Sequence, residues 1–199
     1  FKMTLQKACF LDRDGVIIEE QNYLSDPGHV HICNGAPEAL QELKNAGYLL
    51  VVVSNQSGVA RGKFTMKAVE AVQARIVKLL KKQGVEVDAW YNCPHHPQGT
   101  VPEFAIDCNC RKPKPGMLLQ AAKEHGIDLA KSIMIGDKLS DIEAGINAGC
   151  RANALVLSGH GSEQDLSSPL MAKAVKASDI SEAVGRLLKL FPVSASPKK

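Results

Sequence analysis

The chain is short of the features that mark nucleic-acid, membrane and secreted proteins. Aromatic residues make up 5% of its 199 residues, with a single tryptophan. That is too few to build the stacking platforms that hold single strands. Net charge is only +3, and the basic residues are spread along the chain instead of being gathered on one stretch. This suits a small anionic ligand and argues against a nucleic-acid groove. No apolar run approaches the ~20 residues that cross a bilayer, and no secretory signal is visible. The expected setting is the reducing cytoplasm, where thiols stay thiols, with no nucleic-acid or membrane partner and a monomeric chain.

What is present is ordinary for a globular protein: 45% hydrophobic and 23% charged residues, enough to bury one core. Apolar runs alternate with amphipathic segments. Lys7 to Leu11, Tyr48 to Ser54, Asp88 to Asn92, Ser132 to Ile135 and Arg151 to Leu157 read as strands. Pro37 to Ala46, Thr65 to Gln83, Gly116 to His125, Leu139 to Ala148 and Ile180 to Leu190 read as helices. In the second of these, Met66, Val69, Val72, Ile76 and Leu79 form the apolar stripe. The alternation predicts a parallel sheet with helices on both faces, one domain over residues 1–191. A polar tail over 192–199 is expected to be disordered. Ligands of such folds sit beyond the carboxyl ends of the strands.

Four segments at strand ends carry chemistry. Asp12-Arg13-Asp14-Gly15 follows the first strand, and its alternating carboxylates can enter one site and attract a divalent cation. Ser54-Asn55-Gln56-Ser57-Gly58 follows the second, where a hydroxyl and backbone N–H groups at a strand-to-helix turn make a phosphate cradle. Cys110-Arg111-Lys112-Pro113 places two cations ahead of a helix. Ile135-Gly136-Asp137-Lys138 ends the fourth strand, with Asp141 one turn on as a supporting neighbour or an exposed helix residue. Each segment alone is common loop chemistry.

Six cysteines are present. Cys9, Cys33 and Cys150 lie in or beside apolar stretches and read as core residues. Cys93-x-His95 and Cys108-x-Cys110 are two short pairs of soft ligands, a set that matches tetrahedral Zn²⁺ in a closed structural site. His96 is an alternative to His95, and the matched spacing of the two pairs favours His95. A loop over 93–110 pinned by zinc would end directly in Arg111-Lys112.

Taken in order, CFLDRDGV, VVVSNQ, RKP and IGDKLSD resemble the motifs of the haloacid dehalogenase (HAD) superfamily of phosphatases, over residues 7–157. The resemblance implies a HAD-like Rossmannoid three-layer sandwich. It implies Asp12 as covalent nucleophile, Asp14 as general acid and base, and Ser54 and Lys112 holding the phosphoryl group. Catalytic Mg²⁺ would be bound by Asp12, the Asp14 main chain and Asp137. The intervals between motifs leave no room for a large cap domain. CPHHPQG, CNCRKPKPGM and NQSGVARGKF sharpen the resemblance to the heptose 1,7-bisphosphate 7-phosphatase family, which acts in lipopolysaccharide core biosynthesis. The implied substrate is a small phosphorylated sugar, contacted by Glu20, Gln21, Asn22, Tyr23, Asn55, Gln56, Ser57 and Arg111. Histidinol-phosphate phosphatases share a similar zinc loop and are the nearest rival. A zinc-binding nucleic-acid module and a non-catalytic scaffold are more distant ones.

Overall fold

A computed structural model describes residues 5–192. Of the tail expected to be disordered, only Pro192 falls within the described residues.

Six parallel strands form one sheet: β1 (Lys7–Leu11), β2 (Tyr48–Asn55), β3 (Ala89–Cys93), β4 (Ile133–Gly136), β5 (Ala152–Val156) and β6 (Val175–Ala177), in the order β3-β2-β1-β4-β5-β6. Five helices cover it: α1 (Ala36–Asn45), α2 (Met66–Lys81), α3 (Gly116–His125), α4 (Leu139–Ala148) and α5 (Ile180–Leu190). Successive strand side chains point to opposite faces, so β1 feeds two cores. Cys9 and Leu11 pack with Leu40 and Leu43 of α1, Val72 and Ile76 of α2, and Val184 and Leu187 of α5. Ala8 and Phe10 pack with Met117 and Leu118 of α3 and Ala144 of α4. The result is the expected three-layer sandwich, and every α-helix described belongs to an outer layer.

Local chemistry sets the helix ends. Thr65 caps α2 by accepting from the Ala68 N–H at 3.3 Å, and Asp179 caps α5 through the Glu182 N–H at 2.9 Å, each satisfying an orphan donor. α2 departs from its expected stripe. Leu80, rather than Leu79, is the fully buried residue of its last turn, and Met66 stays half-buried. Strand β6 was not foreseen; three residues at a sheet edge carry no periodicity to read. Cys9 is wholly buried, while Cys33 and Cys150 pack against the two cores, as expected.

The sheet order places the chemistry. β1 pairs with β2 on one side and β4 on the other. The chain leaves β1 toward β2 and β3, then returns across the sheet to β4. This reversal opens a crevice at the carboxyl end of β1, and Asp12 and Asp137 follow the two strands that flank it.

Candidate active site

Asp12 comes directly after β1, and its N–H donates to Ile135 O of β4 at 2.9 Å. Asp137 follows β4, and Asp141 sits in the first turn of α4. All three carboxylates are buried, with oxygens within 4.8 Å of one another. Among them stands Lys112, 3% exposed. Its ammonium lies 2.9 Å from Asp12 Oδ1, 2.7 Å from Asp141 Oδ1 and 2.7 Å from the Val53 carbonyl. Those contacts use all three of its donors. Burial alone would lower the lysine pKa, but Asp12 and Asp141 outweigh it and hold the amine above its ordinary value. Asp137 has no such partner. Burial, then Asp12 and Asp141, push its carboxyl up to about 8. Burial and Asp12 also raise Asp141, against the pull of Lys112.

This cluster fits a cation. Asp137 Oδ2 accepts the His160 N–H at 2.8 Å, while its Oδ1 is buried with no hydrogen-bond partner. An orphaned oxygen beside two more carboxylates is what a hard divalent ion satisfies. The backbone crowds against the same spot. A Cβ at Gly15 (φ +78°) or Gly159 (φ +58°) would overlap Asp137 Oδ2. Asp141 therefore belongs to the centre of the site, and the alternative of an exposed helix residue is overturned.

Asp14 lines the same cavity as Asp12, with its carboxylate held to one side. Its carboxylate accepts from Arg13 Nε and Nη2, both at 2.9 Å, and from Gln56 Nε2 at 3.0 Å. Arg13, 1% exposed, has its Nη1 buried without a partner. Gln56 Nε2 also donates to Ser54 Oγ at 2.8 Å. Ser54 is wholly buried under that amide and does not line the cavity.

The expected phosphate cradle differs from its sequence reading. The Gln56 N–H is committed to Cys93 O at 2.7 Å. The Asn55 amide pairs in both directions with the Lys112 backbone, each bond 3.1 Å, so it positions the lysine. The strand runs into turns instead of a helix, and α2 begins only at Met66. Asn55, Gln56 and Ser57 all remain on the cavity wall.

The cavity above Asp12 has a volume of about 550 Å³. Glu20, Asn22, Tyr23 and Arg111 line it. Gln21 does not; its side chain reaches away to the His29 carbonyl at 2.7 Å. Asn22 (φ 46°) and Tyr23 (φ 66°) both hold left-handed backbone, strain that marks a shaped turn. Tyr23 sits beside Phe64, and Lys63 lies 4.7 Å from its ring centre. Arg111 Nη1 donates to the His95 carbonyl at 3.3 Å. Sequence reasoning missed several further residues on the wall, among them Arg13, Lys138, Ser140 and His160.

Beside the crevice, Cys93, His95, Cys108 and Cys110 converge. Sulfur separations are 3.1 to 3.6 Å, and His95 Nδ1 lies 3.3 Å from Cys110 Sγ and 3.8 Å from Cys93 Sγ. Edges of a tetrahedron around zinc, at about 2.3 Å per Zn–S bond, come to ~3.8 Å, whereas a disulfide needs ~2.05 Å. The four side chains fit Zn²⁺. His96 does not join them; its ring faces Arg61 Nη2 at 3.0 Å.

A parallel sheet of this order, with carboxylates and a lysine at the ends of its central strands, defines a HAD-like hydrolase, and a family model described as HAD-hydrolase-like matches residues 109–183. The D-glycero-beta-D-manno-heptose-1,7-bisphosphate 7-phosphatase of Escherichia coli (strain K12) is 43% identical over 172 residues, covering 86% of this chain and 86% of that protein. The D-glycero-alpha-D-manno-heptose-1,7-bisphosphate 7-phosphatase of Photorhabdus laumondii is 39% identical over 166 residues, 83% of this chain and 91% of that protein. The crystal structure of D,D-heptose 1,7-bisphosphate phosphatase from B. bronchiseptica, complexed with magnesium and phosphate, matches with a TM-score of 0.81 at 32% identity, covering 92% of this chain and 99% of that one. This chain belongs to the D-glycero-D-manno-heptose-1,7-bisphosphate 7-phosphatase family. No helix among the described residues is long and apolar enough to cross a membrane.

Proposed function

We propose that the chain hydrolyses the C7 phosphate of D-glycero-D-manno-heptose 1,7-bisphosphate, giving heptose 1-phosphate and inorganic phosphate, as a cytoplasmic monomer of a single domain. The observation that carries this is Asp12 at the floor of the cavity, held by Lys112 beside Asp137 and Asp141. Family membership supplies the sugar bisphosphate.

Asp12 attacks phosphorus in line, its oxygen forming a bond as the bond to the C7 oxygen breaks. Asp14, protonated, gives its proton to the departing alkoxide, and the sugar leaves as an alcohol. Asp14 then takes a proton from water, whose oxygen attacks the aspartyl phosphate. Phosphate departs and Asp12 is regenerated. To act, Asp14 turns from Arg13 and Gln56 toward the substrate. Lys112 exchanges one of its three acceptors for a phosphoryl oxygen. Ser54 Oγ lies beneath the Gln56 amide that also holds Asp14, and its hydroxyl donates to another only once that amide moves aside with Asp14.

Asp12, Asp137 and the Asp14 main-chain oxygen would hold Mg²⁺, with Asp141 against Lys112 alongside. A bound Mg²⁺ supplies positive charge that offsets repulsion between the attacking carboxylate and the phosphate dianion. Cys93, His95, Cys108 and Cys110 would hold Zn²⁺, whose closed ligand set is structural. Glu20, Asn22, Tyr23, Ser57 and Arg111 would contact the sugar and its second phosphate.

The test is a phosphate-release panel with both anomers of the heptose bisphosphate, histidinol phosphate and a DNA 3′-phosphate. The expected result is a strong preference for a heptose bisphosphate, dependent on magnesium. Equal or better turnover of histidinol phosphate would overturn the substrate assignment.

A further inference from the structure

The segment after β5 is built more tightly than a connecting loop requires. Ser158 Oγ donates to the Gly15 carbonyl at 2.7 Å, joining it to the turn that follows Asp14. Gly159 packs where a side chain would overlap Asp137. Gln164 Oε1 accepts the Leu139 N–H at the start of α4 at 3.0 Å, and its amide donates back to the His160 carbonyl at 3.2 Å. The segment is thus fixed to β1's loop, to Asp137 and to α4. In its middle stands His160, on the cavity wall, with a quarter of its side chain exposed (26%).

Each part of His160 has a partner. Its backbone N–H holds Asp137 Oδ2. Ring Nδ1 lies 2.9 Å from Glu163 Oε2 and ring Nε2 lies 3.5 Å from Glu20 Oε2. The other oxygen of Glu20 accepts the Asn22 N–H at 2.7 Å. A line of contacts therefore runs from Asp137 to His160 by a hydrogen bond, from His160 to Glu20 by a 3.5 Å approach of nitrogen to oxygen, and from Glu20 by a hydrogen bond to Asn22, beside Tyr23 in the left-handed turn that forms the outer wall. A carboxylate in a cavity for a bisphosphate repels the phosphates at close range, so its distance from them has to be fixed. Once fixed, it can accept hydrogen bonds from the hydroxyls between the two phosphates.

We propose that His160 is a positioning residue for substrate specificity: it fixes the Glu20 carboxylate, and through it the 20–23 turn, against the polyhydroxylated chain of the substrate. The proposal rests on the sugar-bisphosphate reading above. It assigns His160 no part in bond making or proton transfer.

The experiment compares wild type, His160→Ala, His160→Gln, Glu20→Gln and the His160→Ala/Glu20→Gln double variant. Each is assayed on heptose 1,7-bisphosphate and on phenyl phosphate, which lacks the hydroxyls, with thermal melting of each protein as a check on folding. Alanine keeps the backbone N–H to Asp137, so the change is confined to the ring. His160→Ala should lose about tenfold more kcat/KM on the bisphosphate than on phenyl phosphate, chiefly through KM. His160→Gln, which keeps a side-chain N–H toward Glu20, should recover much of that loss. The double variant should be no worse than Glu20→Gln alone, because coupled residues are non-additive. Equal proportional losses on both esters, or fully additive losses in the double variant, overturn the proposal while leaving the substrate assignment in place. A wild type with no preference for the bisphosphate overturns the assignment and this inference together.

Discussion

Lys112→Met tests the electrostatic core of the site without adding bulk. The lysine ammonium touches Asp12, Asp141 and the Val53 carbonyl, and its side chain is 1% exposed. Removing it leaves two buried carboxylates beside a third with no cation. Breaking a buried ion pair by deleting one partner costs about 3–5 kcal/mol. Asp141 keeps the Lys138 N–H at 3.0 Å, which places the loss in the lower half, about 3–4 kcal/mol. For a domain of this size each kcal/mol moves the melting temperature by roughly 2–4 °C, so the metal-free variant should melt about 6–16 °C lower at pH 8. Lys112 has its folded pKa raised, so its contribution is complete below the ordinary lysine value and constant from pH 5 to 8. The pH dependence comes from the carboxylates. Asp137, pushed up to about 8, and Asp141, also raised, bind protons in the folded protein that the unfolded chain has released. Stability of the metal-free protein therefore falls as pH rises from about 4 to about 8. The variant's deficit should be smaller at pH 5, where Asp137 is protonated. Millimolar magnesium should shrink it at pH 8 by restoring positive charge. Turnover should fall about 10²–10³-fold, the scale for losing one donor to developing negative charge. The assay is thermal unfolding at pH 5 and 8 with and without magnesium, alongside phosphate release. A melting shift under ~3 °C at pH 8, insensitive to pH and metal, would refute the reasoning.

Asp12→Asn should abolish turnover, since an amide cannot form the acyl phosphate. Asp14→Asn should lower kcat by about a hundredfold or more with magnesium binding by calorimetry retained; substantial activity in purified Asp12→Asn ends this mechanism. The protein should carry one zinc per chain by elemental analysis, and Cys108→Ser should lose it with reduced activity but intact secondary structure. Full zinc in Cys93→Ser, His95→Ala and Cys110→Ser alike would mean the ligands are wrong. Arg111→Ala should reduce kcat/KM roughly thirtyfold for heptose 1,7-bisphosphate, about 2 kcal/mol of lost charged hydrogen bonding, and far less for phenyl phosphate; steady-state kinetics showing equal losses would remove its recognition role.

The readable parts of this molecule are those where one residue type does one job repeatedly. VVVS in β2 announces a strand buried on both faces, and the carboxylates and lysine at successive strand ends point to one crevice, although Asp12 and Lys112 lie a hundred positions apart. The illegible parts depend on side-chain direction after the strand ends. Strand periodicity brings Asp12 and Asp14 to one cavity, as the structure has them, but it does not foretell that the chain turns after Asp12 and folds Arg13 onto the Asp14 carboxylate. Gln56 and Asn55 look like cradle residues in sequence, but their amides are occupied by Asp14, Ser54 and the Lys112 backbone. Gln21 lies among true wall residues and reaches the wrong way. His160 had a usable signal: Gly159-His160-Gly161 follows β5, where the strand-end rule applies as it does after β1 and β4.

The zinc-type loop and the Asn55 amide act on one problem from two sides. A lysine in the role proposed for Lys112 brings four flexible torsions, whose ordering is costly at the moment of reaction unless arranged beforehand. Its three acceptors fix the ammonium; the backbone must be fixed separately. Asn55 grips the Lys112 N–H and carbonyl from β2. On the other side, Cys110 lies two residues before Lys112 and is drawn into the cluster with Cys93, the last residue of β3. The Gly116 N–H closes the loop onto the Asn109 carbonyl at 3.0 Å as α3 begins. Both anchors start from neighbouring strands of the same sheet, since β2 pairs with β3. The loop between β3 and α3 has few core residues of its own, and the soft-ligand cluster gives it the stiffness that apolar packing supplies elsewhere. A metal remote from the phosphate would thus serve catalysis through geometry alone, by holding Arg111 and Lys112 where β2 already expects them.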